Sequence, residues 1–99
     1  MPAYVISEVE ILNETLANIY RPLASASIAQ YGGRYIVRGG AIELLEGERN
    51  PARRLVIVEF PSMQRAHEWY GSPEYAEALK VRQTSLDRRL IFVEGVVPI

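Results

Sequence analysis

The chain has 99 residues, 48% hydrophobic and 23% charged, with a formal net charge of −1. That length suits one domain over 1–99, and the balance is that of a globular protein rather than a disordered one. It lacks the basic excess of a nucleic-acid binder. Cysteine is absent, which excludes disulfides, thiolate nucleophiles and cysteine-based metal sites.

In chain order, Met1-Pro2-Ala3-Tyr4 passes directly into an apolar run, and Ala3–Glu10 reads as a first strand. The opening has no basic leader or cleavage site, and no apolar run approaches membrane-spanning length, so the expectation is a cytoplasmic protein with no membrane partner. Asn13 caps a helix over roughly 14–31, where Leu16, Ile19, Tyr20, Leu23, Ser27 and Tyr31 follow helical spacing. Pro22 falls inside it and predicts a kink that would open a cleft beside Tyr20. Gly32-Gly33 ends that helix.

Arg34–Arg38 is a second strand, interrupted by Gly39-Gly40 and expected to resume over Ala41–Leu45. A loop over Glu46–Ala52 leads to a third strand, Arg53–Phe60. Pro61-Ser62 starts a short helix to about Tyr70. Ser72-Pro73-Glu74 starts another to about Leu86, with a capping hydroxyl, a proline in the first turn and an acid at the positive end of the dipole. Leu90–Val96 is the last strand. The order β-α-β-β-α-α-β is the split βαβ arrangement: an α+β, ferredoxin-like domain with a four-stranded antiparallel sheet and helices on one face.

Side chains alternate across a strand, so each strand divides into two sets. The more apolar set is Val5, Val9, Tyr35, Val37, Val56, Val58, Phe60, Ile91 and Val93, assigned to the helices. The other set mixes Tyr4, Ile6, Ile36, Leu55, Ile57, Leu90 and Phe92 with Glu8, Arg34, Arg38, Glu59 and Glu94. Its area, on the order of 300 Å² from strand spacing and rise, hints at a second copy of the chain, with the Val96–Ile99 tail and the Ala41–Leu45 arm adding contact. Burying those carboxylates requires Arg–Glu pairing within or between protomers.

The strings Tyr31-Gly32-Gly33-Arg34-Tyr35, Val37-Arg38-Gly39-Gly40, Glu59-Phe60-Pro61-Ser62, Trp69-Tyr70, Ser72-Pro73-Glu74-Tyr75 and Val93-Glu94-Gly95 run in the order of one bacterial family. The chain resembles the domain-of-unknown-function family numbered thirteen-thirty, itself similar to the dimeric α/β-barrel superfamily. The resemblance implies two ferredoxin-like protomers packed sheet against sheet. It implies no reaction and no catalytic residue.

Chemistry candidates come from the residues themselves. His67, the one histidine, would act as a base near Glu59, or simply sit on an amphipathic helix. Glu59 would move a proton if desolvated, or pair with Arg34 or Arg38. Arg82, on the apolar line of the last helix, would bind a substrate carboxylate, or snorkel to water. Arg34 is a second anion anchor, and Tyr20, Trp69 and Tyr75 would wall an aromatic pocket, or belong to the core. No cofactor or metal site is expected: the glycines form no dinucleotide or phosphate fingerprint, and one histidine without cysteines suits zinc poorly. Two functions stay open. One is a cofactor-independent enzyme or binder for an organic acid or aromatic compound in a helix–sheet cleft. The other is a non-catalytic dimeric carrier or interaction module whose charges are structural.

Overall fold

A computed structural model describes residues 1–96; the end of the predicted apolar tail, 97–99, lies outside them. Strands β1 (Ala3–Ile11), β2 (Arg34–Arg38), β3 (Arg54–Phe60) and β4 (Leu86–Glu94) form one antiparallel sheet in the order β2-β3-β1-β4. Helices α1 (Glu14–Gln30), α2 (Met63–Tyr70) and α3 (Pro73–Ser85) connect them. The order and antiparallel pairing are those of the expected ferredoxin-like α+β fold.

Local chemistry sets the helix boundaries. Asn13 Oδ1 accepts from Leu16 N at 3.1 Å, Ser62 Oγ from Arg65 N at 3.1 Å, and Ser72 Oγ from Tyr75 N at 3.0 Å. Each cap satisfies one orphan amide of a first turn, a contribution of about 1 kcal/mol. Gly33 is required by closeness rather than by a turn: a Cβ there would lie 2.7 Å from Ile28 Cγ2 and 2.7 Å from Phe60 Cε1. This is where α1 hands the chain to β2 against the core.

The core lies between the helices and one sheet face. Ala17, Tyr20, Ala24 and Ile28 recur along α1 and pack with Val5, Val58, Phe60, Trp69, Tyr75, Ala78 and Leu86. Tyr75, Phe60, Ala17, Ala66 and Ala78 are fully buried. The alanines let α1 and α3 approach closely enough for their tyrosines to meet.

Helix α1 is a single element through Pro22, and Pro22 and Asn18, whose carbonyl it leaves without a helical donor, are both exposed. Three expectations require correction. The Ala41–Leu45 strand does not form; β3 starts at Arg54, level with the end of β2, so the continuing segment has no strand beside it, and Ile42, Leu44 and Leu45 are exposed. Strand β2 changes face at an irregularity between Tyr35 and Val37, so Val37 pairs with Ile57 and Arg38 with Val56. Val37 therefore belongs to the open face and Arg38 to the helix face, the reverse of the parity reading. Finally, β4 starts at Leu86 and pairs Phe92 with Val5 and Ile91 with Ile6. Leu86, Arg88, Leu90 and Phe92 thus face the helices, while Ile91 and Val93 face outward.

The open face has a regular composition. Val37, Ile57, Ile6 and Ile91 form one apolar row across all four strands. Arg34, Glu59, Tyr4 and Val93 form the next row, and Leu55, Glu8 and Arg89 flank it on the other side.

Candidate functional site

The helix face does not seal completely. Between α1 and the sheet lies a cavity of about 270 Å³, its walls built from Val5, Val9, Val56, Val58, Ile28 and Leu90. That is the low end of the ~300 to 1,000 Å³ usual for small-molecule sites, room for a compact ring compound. Tyr20 and Trp69 line it, with Ser7, Arg88 and Tyr35. Arg21, Arg38 and Arg54 stand around its more exposed end, where β2 turns away at Gly39. Gly39 has φ +70°, a left-handed conformation that favours glycine.

At the inner wall three polar side chains converge. Arg88 Nη1 donates to Tyr20 Oη at 2.8 Å, and its Nη2 donates to Tyr75 Oη at 2.6 Å. The two phenol oxygens are 2.8 Å apart and hydrogen-bonded to each other. Burial pushes the Tyr20 hydroxyl well above its ordinary 10.0, the nearby Arg88 charge opposing only part of that rise, so the phenol stays protonated. Among the described residues Arg88 has no carboxylate partner. A largely desolvated guanidinium held by two neutral phenols leaves the cavity positive, and an anion inside would supply the missing countercharge.

Behind this wall Trp69 is fixed from two sides. Its Nε1 donates to Ser27 Oγ at 3.0 Å, and its ring centroid lies 4.2 Å from that of Tyr75. Ser7, in the middle of β1, is 6% exposed, and its Oγ has no hydrogen-bond partner among the described residues. The mouth arginines are less constrained. Arg21 reaches Glu14 at 3.3 Å. Arg38 donates to Ser25 Oγ at 3.0 Å and lies 4.1 Å over the Tyr35 ring. Arg54 makes no ion pair among the described residues.

Of the seven residues singled out from sequence, the structure brings Tyr20 and Trp69 together at this cavity, sets Tyr75 behind them against Trp69, and places the other four elsewhere. Glu59 is on the open face of the sheet, 2.9 Å from Arg34, whose side chain is 72% exposed. His67 is exposed on α2, its ring centroid 5.0 Å from that of Phe92. Arg82 is half-buried near the end of α3, where its carbonyl accepts from Leu86 N. None of Glu59, His67, Arg82 and Arg34 lines the cavity. Sequence reading missed Arg88 and Ser7. Arg88 had a usable signal: Leu86, Arg88, Leu90 and Phe92 alternate without interruption, so an arginine stands where an apolar residue was due. For Ser7, alternation between Val5 and Val9 carried the same message.

A four-stranded antiparallel sheet joined by three helices in this order defines the class of ferredoxin-like α+β proteins. Within that class the chain belongs to the family described as Domain of unknown function (DUF1330), whose model matches residues 2–96. No curated protein matches the sequence. A protein of unknown function from Rhodopseudomonas palustris superposes with a TM-score of 0.79 at 23% identity, over 98% of this chain and 84% of that one. SnoaB, a cofactor-independent oxygenase from Streptomyces nogalater, has a TM-score of 0.70 at 8% identity, over 99% and 96% of the two chains. A dimeric protein of unknown function and ferredoxin-like fold from Bacteroides fragilis has a TM-score of 0.62 at 13% identity, over 95% and 96%. At these identities the likeness is one of fold. Among the described residues no helix is long and apolar enough to cross a membrane, and no cluster of three or more metal-ligating side chains forms.

Proposed function

We propose that this chain binds a small organic acid or anionic aromatic compound in the cavity between α1 and the sheet. The observation that carries the reading is charge. Arg21, Arg38, Arg54 and Arg88 line one apolar-walled cavity whose lining contains no acidic residue. Apolar walls with a few convergent polar groups are the usual make-up of a ligand site, and guanidinium groups suit planar carboxylates. A bound aromatic acid would bury its ring against Val5, Val58 and Trp69 and hold its charge on arginine.

Catalysis without a resident cofactor is the extension of this reading. Its support is the fold shared with a cofactor-independent oxygenase and the Arg88–Tyr20 pair, which is suited to stabilising negative charge that develops on a ligand oxygen. The non-catalytic carrier is the second reading. One observation favours it: neither Glu59 nor His67 reaches the cavity, so among the described residues no carboxylate or imidazole lines it as a base.

The same reading includes a homodimer formed through the open sheet face and a cytoplasmic location. The apolar row Val37, Ile57, Ile6 and Ile91 supports the first, as does the description of the Bacteroides fragilis relative as dimeric.

Calorimetric titration with benzoate and with its neutral isostere benzamide tests the binding. Benzoate should bind and benzamide should bind at least about tenfold more weakly, the difference of one charge-assisted hydrogen bond. Equal binding, or none, would overturn the anion reading. Recovery of a chemically altered ligand after incubation with pure protein and air, with no added metal or cofactor, selects the enzyme. Unaltered ligand selects the carrier.

A further inference from the structure

The unpaired hydroxyl protons of the inner cavity define the far end of the ligand, an inference that rests on the anion-binding reading above. A phenol has one proton to donate and two lone pairs to accept with. Tyr20 Oη and Tyr75 Oη each accept from Arg88, at 2.8 and 2.6 Å, and they share one proton across their 2.8 Å contact. Two hydroxyls carry two protons, so one remains without an acceptor. Were it on Tyr75 it would be orphaned, because Tyr75 is 0% exposed and does not line the cavity. Tyr20 does line the cavity. The arrangement that orphans nothing has Tyr75 donating to Tyr20 and Tyr20 directing its own proton into the cavity.

Ser7 independently repeats the demand. Its Oγ is buried and unpartnered on the opposite wall of the same cavity, and buried hydroxyls in folded proteins are nearly always hydrogen-bonded. Two hydroxyls with protons to give therefore face the inner end, while Arg38 and Arg54, both exposed residues, stand at the mouth.

We propose that the ligand carries two oxygen functions at opposite ends: a carboxylate that meets Arg38 and Arg54 at the mouth, and a carbonyl or enolate oxygen that accepts from Tyr20 and Ser7 within. The class is that of keto-substituted aromatic acids. A purely hydrocarbon inner end would leave both hydroxyls unsatisfied.

The experiment is calorimetry on the full chain with 4-acetylbenzoate and 4-isopropenylbenzoate, which share shape and carboxylate and differ only in the inner oxygen. The acetyl compound should bind about tenfold more tightly. Tyr20→Phe should remove most of that preference, whereas Tyr75→Phe, which leaves the Tyr20 proton in place, should keep it. Arg38→Gln with Arg54→Gln should weaken both compounds equally. If Tyr20→Phe does not fold, carbonyl-13C-labelled 4-acetylbenzoate with the unaltered protein answers the same question, since donated hydrogen bonds shift that resonance downfield. Equal affinities, or a carbonyl resonance unmoved on binding, would overturn this inference and leave the anion reading intact. Failure of both compounds and of benzoate to bind would remove the two together.

Discussion

Arg88 and Tyr75, from the last strand and the last helix, are joined by a 2.6 Å hydrogen bond that buries a guanidinium against a phenol rather than a carboxylate. An arrangement chosen for stability alone would place an apolar side chain here, because desolvating an arginine without an acid costs several kcal/mol. Arg88→Met should therefore leave the folding free energy within about 1 kcal/mol of the starting protein, since Tyr20 and Tyr75 keep their mutual bond. The same variant should weaken 4-acetylbenzoate more than benzoate, because Arg88 holds the Tyr20 phenol that meets the inner oxygen. Chemical denaturation beside calorimetry checks both. A loss of about 3 kcal/mol or more would make the guanidinium a structural group.

Ser7 has a similar mismatch on the facing wall. Its Oγ is buried without a partner, so Ser7→Ala should raise stability by about 1 kcal/mol in the ligand-free protein. A melting temperature that falls instead would show that the hydroxyl already has a partner.

The open sheet face predicts assembly. Ile57 sits between Ile6 and Val37 in the apolar row, so Ile57→Glu should convert a dimer to monomer in analytical ultracentrifugation while leaving the far-ultraviolet circular dichroism unchanged. Arg34→Ala leaves Glu59 without its 2.9 Å partner on that face and should weaken association in the same assay. Unchanged sedimentation in both variants would sink the face-to-face arrangement.

Glu74 ties the end of α1 to the start of α3. Its carboxylate accepts from Tyr31 Oη at 2.9 Å and Gln30 Nε2 at 3.1 Å. The backbone amide at the helix start, then the Tyr31 hydroxyl, hold its carboxyl below the ordinary 4.5. A depressed carboxylate contributes stability that is complete above the unfolded value and lost as pH falls through the lowered folded one. Melting temperature should therefore drop below about pH 4.5, and Glu74→Gln should flatten part of that acid limb while changing little at neutral pH. Superimposable pH profiles would show that the contact contributes nothing to folding.

Element types were legible because their signals are local. Asn13, Ser62 and Ser72 each bond an amide three residues on, and such a cap needs no tertiary partner. The Arg34–Glu59 pair was also within reach, since alternation put both on the mixed face of strands that read clearly. Pro22 was ambiguous in sequence because its cost depends on whether the freed carbonyl is exposed, which depends on the face the helix buries. Leu90 to Val93 is apolar at every position, so alternation there could not choose a face, and the choice came from pairing Val5 with Phe92.

The sequence by itself determined the order of elements, their caps, the ferredoxin-like plan and the family, all of which rest on spacing within a few residues or on strings read in order. Tertiary structure alone decided the site. Tyr20 meets Tyr75 across 55 residues and Arg88 across 68, and Arg38 turns toward the helices only because β2 shifts register beside β3. A one-residue shift of register moves a side chain to the opposite face of a sheet. The composition of the cavity therefore follows from strand pairing, and pairing is settled by the whole core at once.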